Sequence, residues 1–255
     1  MVSSNNNKYI LLLNKTFKKN DSKLFAILET SLTYSAYYEK RLKGKIIYVY
    51  DSALWFLKSN INMQDDCLPL RKLKSLPEYT TDNSQTKKED FYVDWFCNVI
   101  KEVQNTSLDV INTRTNPFLA GRKPDGSFMK CDTGHLTIFN CVALFEGKSP
   151  QRNDISTFSN KDIGELCQFL ETLLDNQPWR KQASGFITNF NSIQFYRISR
   201  NNPNNLIFEE SSVFSFQNQG IDYLHQFLCA SPETLGHQPP IIDNINLTDV
   251  SIDKK

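Results

Sequence analysis

The sequence predicts an α/β fold with a central mixed β-sheet flanked by helices. Three observations predict it. From residue 85 the order of periodic segments is helix, strand, strand, strand, helix, strand, strand. Residues 136–145 form a nearly continuous apolar run, as expected of a central strand covered on both faces. Ile163, Leu166, Leu170, Leu173 and Leu174 recur at helical spacing behind Ser159, an N-cap with Asp162 three residues on.

Taken in order, residues 10–13 and 45–50 are strand-like, and residues 24–38 carry apolar side chains at helical spacing. Residues 53–57 either extend the sheet or begin a short helix. Residues 1–80 are thus expected to form an N-terminal α/β extension to which no chemistry is assigned. Residues 58–88, with Pro69, Pro77 and Lys87-Lys88, have the composition of a linker or a long surface connection. A helix over 85–104 follows, with Tyr92, Trp95, Phe96, Val99 and Val103 on one face. Residues 108–111 and 127–129 read as strands, and Gln177-Pro178 stops the long helix. Residues 185–190 and 193–198 read as a hairpin about Asn191-Ser192, and 206–208 and 213–216 as two further strands. A short amphipathic helix over 221–228 precedes a polar, loose tail from 239. The main domain is expected over 85–238.

Twenty-nine basic and 28 acidic residues among 255 give a net charge of +1, so any basic surface must be local. Six cysteines without a C-x-x-C pair argue against a zinc site or a disulfide framework. The N-terminus has no basic n-region, and the apolar run after it is too short for a signal peptide or a membrane span. An intracellular setting, cytoplasmic or nuclear, and no membrane partner are expected. His135, His225 and His237 have no mutual ligand spacing and are read as structural.

The chemistry concentrates in Pro124-Asp125 and Glu146-Gly147-Lys148. Pro-Asp occurs once, and of three acid-x-Lys triplets only Glu146-Gly147-Lys148 ends a long apolar run. Phosphodiester hydrolysis needs an activated water and neutralisation of developing charge, both of which a divalent cation supplies. Mg²⁺ or Mn²⁺ takes one or two carboxylates, here Asp125 and Glu146 if their strands are adjacent. Lys148 projects to the same side as Glu146 and is placed to orient water or stabilise charge. Equally open is a plain reading, in which Asp125 begins a Pro-Asp-Gly turn and Glu146 and Lys148 are a solvated strand end. Glu89 either points inward or is an exposed first-turn acid favoured by the helix dipole. Gln168 either holds a phosphate or water or is a surface residue. Arg122 and Lys123, beside Asp125, and Arg180 and Lys181, in an acid-free segment rich in aromatics, are candidate nucleic-acid contacts.

Together these residues resemble the PD-(D/E)xK nuclease superfamily. More narrowly, Gln168, Gln177-Pro-Trp-Arg180, Gly185-Phe-Ile-Thr and Phe195-Tyr-Arg197 resemble the nuclease-like domain of Crinkler-type effectors and related fungal kinase-associated proteins. The resemblance spans about residues 85–240. It implies a restriction-endonuclease-like core, with Asp125 and Glu146 as Mg²⁺ ligands, Lys148 catalytic, Glu89 and Gln168 supporting, DNA as substrate and action in a nucleus. The chain ends where a kinase-like domain would begin, and it carries no Gly-rich phosphate loop or H-R-D sequence, so kinase activity is not expected. Gly147 departs from the apolar residue typical of that position and is expected to loosen the site.

Overall fold

The computed structural model describes residues 33–57, 68–79, 85–131, 134–150, 157–202 and 205–238. The strand expected at 10–13, most of the segment at 24–38 and the tail from 239 lie outside these residues.

Seven strands form one mixed sheet flanked by helices. They are β1 (Ile46–Tyr48), β2 (Leu108–Asn112), β3 (Gly126–Lys130), β4 (Cys141–Gly147), β5 (Gln182–Thr188), β6 (Ser192–Asn202) and β7 (Asn205–Ser215), in the spatial order β1-β7-β6-β5-β4-β3-β2. The helices are α1 (Tyr34–Tyr37), α2 (Gln85–Lys101), α3 (Asn160–Asn176) and α4 (Gly220–Leu228). β2, β3 and β4 form an antiparallel meander, and β5 lies parallel to β4 after the α3 crossover. β5, β6 and β7 are antiparallel neighbours, and β1 adds in parallel to the outer side of β7.

Each face of the sheet buries its own cluster. α2 and α4 cover a face built largely from aromatic rings, including Phe96, Phe128, Phe145, Phe186, Phe195 and Phe227. α3 covers a face that is mostly aliphatic, with Leu144, Leu166, Leu170 and Ile187. Ser159 caps α3 in a full capping box with Asp162, so the first turn is fixed by local hydrogen bonds. Leu54, Phe56, Leu70 and Leu73 are buried in the aromatic cluster, and Tyr37 and Leu42 in the aliphatic one. The N-terminal elements therefore share the core of the elements that follow.

Two strands differ from expectation. β4 begins at Cys141 rather than 136, because the Asn140 side chain accepts a hydrogen bond from the Thr137 N–H at 2.6 Å and folds 137–140 into a turn. Leu136 and Ile138 pack from that turn against the aliphatic cluster. The two short strands expected at 206–208 and 213–216 are one strand, β7, whose polar middle is held by β6: Arg197 bonds Glu209 through two contacts of 2.6 Å. Among the described residues no helix is long and apolar enough to cross a membrane.

Candidate active site

The meander brings Asp125, which precedes β3, beside the end of β4. Gly126 pairs with Phe145, and a Cβ at Gly126 would lie 1.8 Å from a Phe145 ring atom, so only glycine lets the chain pass here. Thr113, fully buried, ties the loop after β2 to the same turn: its hydroxyl donates to the Pro124 carbonyl (2.7 Å) and its N–H to the Asp125 carbonyl (3.0 Å).

Asp125 and Glu146 are then cross-linked through backbone. The Gly147 N–H donates to Asp125 Oδ2 (2.8 Å), and the Asp125 N–H donates to Glu146 Oε1 (3.2 Å). Asp125 is 6% exposed and Glu146 3%. Burial raises the pKa of Asp125, opposed by Arg114, Lys148 and the Gly147 N–H. Burial, and then the charge of Asp125, push Glu146 well above the usual carboxylate range. Neither acid is a solvated turn or strand-end residue. Gly147 does not loosen the strand: a Cβ there would sit 2.7 Å from Phe190 Cζ and 2.9 Å from Val93 Cγ2, so glycine is what lets α2 and the β5–β6 turn close on the site.

Lys148 Nζ contacts Glu146 Oε2 (3.3 Å) and Glu165 Oε2 (2.6 Å), with Asp162 Oδ1 at 4.0 Å. Burial works to lower its pKa, but the charges of Glu146 and Glu165 prevail and raise it. Its ammonium is thereby held between the two acids.

Glu89 takes the inward of its two expected positions. It lies 3.8 Å from Arg114 Nη1, and burial followed by the charge of Asp125 raises its pKa. Gln168, on α3, is 7% exposed and accepts from Arg122 Nη1 at 2.9 Å, so it is not a surface residue. Arg122 also lies over the Phe169 ring, 5.9 Å from its centroid. Lys123 and Lys181 are exposed. Arg180, expected as a phosphate contact, is corrected: it is 1% exposed and donates to the carbonyls of Gln182, Cys141, Val142 and Leu235. A guanidinium spent on buried carbonyls is a structural strut.

Three further residues lie here that none of the motifs above includes. Arg114 faces Glu89, Asp90 and Asp125. Glu165 holds Lys148, and its signal was present: Asp162, Glu165 and Gln168 recur every three residues along one face of α3. Tyr34, on α1, packs edge-on against Phe169 at 5.8 Å, the same ring that Arg122 lies over.

Among the described residues no group of three or more His, Cys, Asp or Glu is placed to hold a metal ion. Mg²⁺ needs fewer, since it binds through one or two carboxylates and keeps its waters. Asp125 and Glu146 fit that requirement. They are adjacent, buried acids, and each carboxylate accepts a backbone N–H on one oxygen and keeps further lone pairs.

Residues 88–180 match a family described as Domain of unknown function (DUF6826). The matched stretch is less than half of the chain, and it runs from just before Glu89 to Arg180, taking in Asp125, Glu146, Lys148 and Gln168. No curated protein matches the chain.

Proposed function

We propose that this chain is a Mg²⁺-dependent nuclease-like protein with a restriction-endonuclease-like core, hydrolysing phosphodiester bonds of DNA. The observation that carries this reading is the meeting of Asp125 and Glu146, joined through the N–H groups of Asp125 and Gly147, with Lys148 alongside. The element order supports it too: a helix, three antiparallel strands, a crossover helix and a parallel strand, with the acids at adjacent strand ends.

Asp125 and Glu146 would hold the ion. Bound there, Mg²⁺ supplies an activated water and a Lewis acid for the scissile phosphate. Lys148, kept protonated by Glu146 and Glu165, stabilises the negative charge that develops on phosphate oxygens. Arg122, fixed by Gln168 and lying over Phe169, offers a further guanidinium to the DNA backbone, and Lys123 an exposed ammonium.

A second reading keeps the fold without catalysis, as a module binding nucleic acid or protein. It is favoured by the protein's own cations, since Arg114 and Lys148 already lie against Asp125 and Glu146. The Crinkler-type resemblance is neutral between the two readings, because Arg180, one of its motif residues, supports the fold rather than the site.

Supercoiled plasmid incubated with the purified chain and Mg²⁺ separates the readings, with Glu146→Ala and Lys148→Ala run in parallel. Nicking by wild type that both substitutions and EDTA abolish supports the nuclease. Wild type that binds DNA with a steep salt dependence and never cuts supports the binding module. Cutting that survives both substitutions comes from elsewhere and removes this site from consideration.

A further inference from the structure

Arg114 lies two residues beyond β2, and its backbone is pinned. Its N–H donates to Asn112 Oδ1 at 3.1 Å, and Thr113 before it is bonded to both Pro124 and Asp125. The guanidinium is thereby held against the Pro124-Asp125 turn. Its Nε pairs with Asp90 Oδ1 at 2.6 Å. Its Nη1 lies 3.3 Å from Asp125 Oδ1 and 3.8 Å from Glu89 Oε1, is buried, and makes no hydrogen bond. A guanidinium recognising one carboxylate presents two parallel N–H bonds to it. Here a single nitrogen stands between carboxylates of two separate elements, which is the position of a bridging ion.

Asp125 has an acid on each side. Glu146 on β4 accepts its N–H, and Glu89 on α2 shares Arg114 Nη1 with it. A carboxylate shared between flanking acids is how two-metal phosphoryl-transfer sites are built, with the ions about 3.5–4 Å apart. On the Glu146 side the cation in contact, Lys148, is drawn outward to Glu165 at 2.6 Å and stays 3.3 Å from Glu146. On the Glu89 side the space between the acids is filled by Arg114 itself.

The geometry points to Arg114 as the residue that fixes metal stoichiometry: its guanidinium, between Glu89 and Asp125, stands in place of a second divalent ion, so the site takes one. The inference rests on the metal-site reading proposed above. Unlike an ion, the guanidinium cannot leave with product, and its charge does not depend on divalent concentration.

The test is titration of Mn²⁺ into the metal-free full chain, followed by isothermal calorimetry and by the loss of the free-ion paramagnetic resonance signal. Wild type is expected to take up about one equivalent, and Arg114→Ala about two, as a two-metal site does. Arg114→Gln provides the same test should the alanine variant fail to fold, and Arg114→Lys, which keeps a cation there, is expected to stay at about one. Wild type taking one equivalent, with the alanine and glutamine variants titrating identically, overturns the role of Arg114 alone. Two equivalents in wild type also overturn it. No uptake by wild type or by any variant sinks the metal-site reading, and this inference with it.

Discussion

Strand β4 meets a buried charge at each end, and the two ends handle it in different ways. At the Cys141 end the Arg180 guanidinium is surrounded by backbone carbonyls from four residues. Burial lowers its pKa to about 10, and it remains charged at neutral pH with its donors engaged. At the Glu146 end, acids are buried against one another and their pKa values rise. Burial is common to both ends, so burial alone does not mark a functional site. The two ends differ in their partners: Arg180 is enclosed by backbone carbonyls, whereas Asp125 and Glu146 lie against each other with Arg114 and Lys148 alongside, the arrangement proposed above to hold a cation.

The comparison is broken most severely at the Arg180 end. Arg180→Met leaves several buried carbonyls without donors, and a loss of about 3 kcal/mol or more is expected in urea unfolding, since each orphaned group costs roughly 1–3 kcal/mol. A loss below about 1 kcal/mol would return Arg180 to the surface residues. Next comes Gly147→Ala, whose new methyl meets Phe190 and Val93 and is expected to cost about 1–3 kcal/mol by overpacking. Cleavage should fall with it, because the Gly147 N–H positions Asp125.

Glu146→Gln has the opposite sign. The folded state holds the Asp125 and Glu146 protons to higher pH than their ordinary values of 3.8 and 4.5. The folded chain therefore binds more protons than the unfolded one in that range, and stability is greatest below those values and falls as pH rises through the raised pKa values. Glutamine imitates protonated Glu146 at every pH. The variant should be the more stable near pH 8 and lose its advantage towards pH 4, while on the proposed nuclease reading cleavage disappears. Urea midpoints of metal-free protein across that range check the slope, and parallel wild-type and variant curves would contradict the repulsion. The smallest effect is expected of Lys181→Ala. Its side chain is exposed, so stability should stay within about 0.5 kcal/mol, and only DNA affinity at low salt should weaken.

The sequence revealed what is local. The Ser159–Asp162 capping box, the α2 and α3 stripes and the β5–β6 hairpin follow from neighbours within a few residues. Asp125 and Glu146-Gly147-Lys148 were visible because one antiparallel meander brings them together from positions close in the chain. Other features depend on partners far away in the chain. Arg114 is a single arginine in a polar loop, and only the approach of α2 and the Pro124-Asp125 turn gives it three acidic neighbours. Arginine is ordinarily exposed, so nothing local announces that carbonyls of β4 and Leu235 enclose Arg180. β7 looked like two strands because Glu209, Glu210, Ser211 and Ser212 interrupt its apolar pattern, and their partners lie on β6 and β1. The Thr137–Asn140 turn, by contrast, was announced by its polar residues and hidden only by the apolar ones around them.

The most direct measurement is the melting temperature of EDTA-stripped protein against rising Mg²⁺, for wild type, Asp125→Asn and Glu146→Gln. An ion bound only by the folded state raises stability with the logarithm of its concentration once above Kd. Wild type should climb with Mg²⁺ from a lower starting point, while both variants stay flat. Three curves that rise together, or a wild-type curve as flat as the others, would contradict a cation site at Asp125 and Glu146.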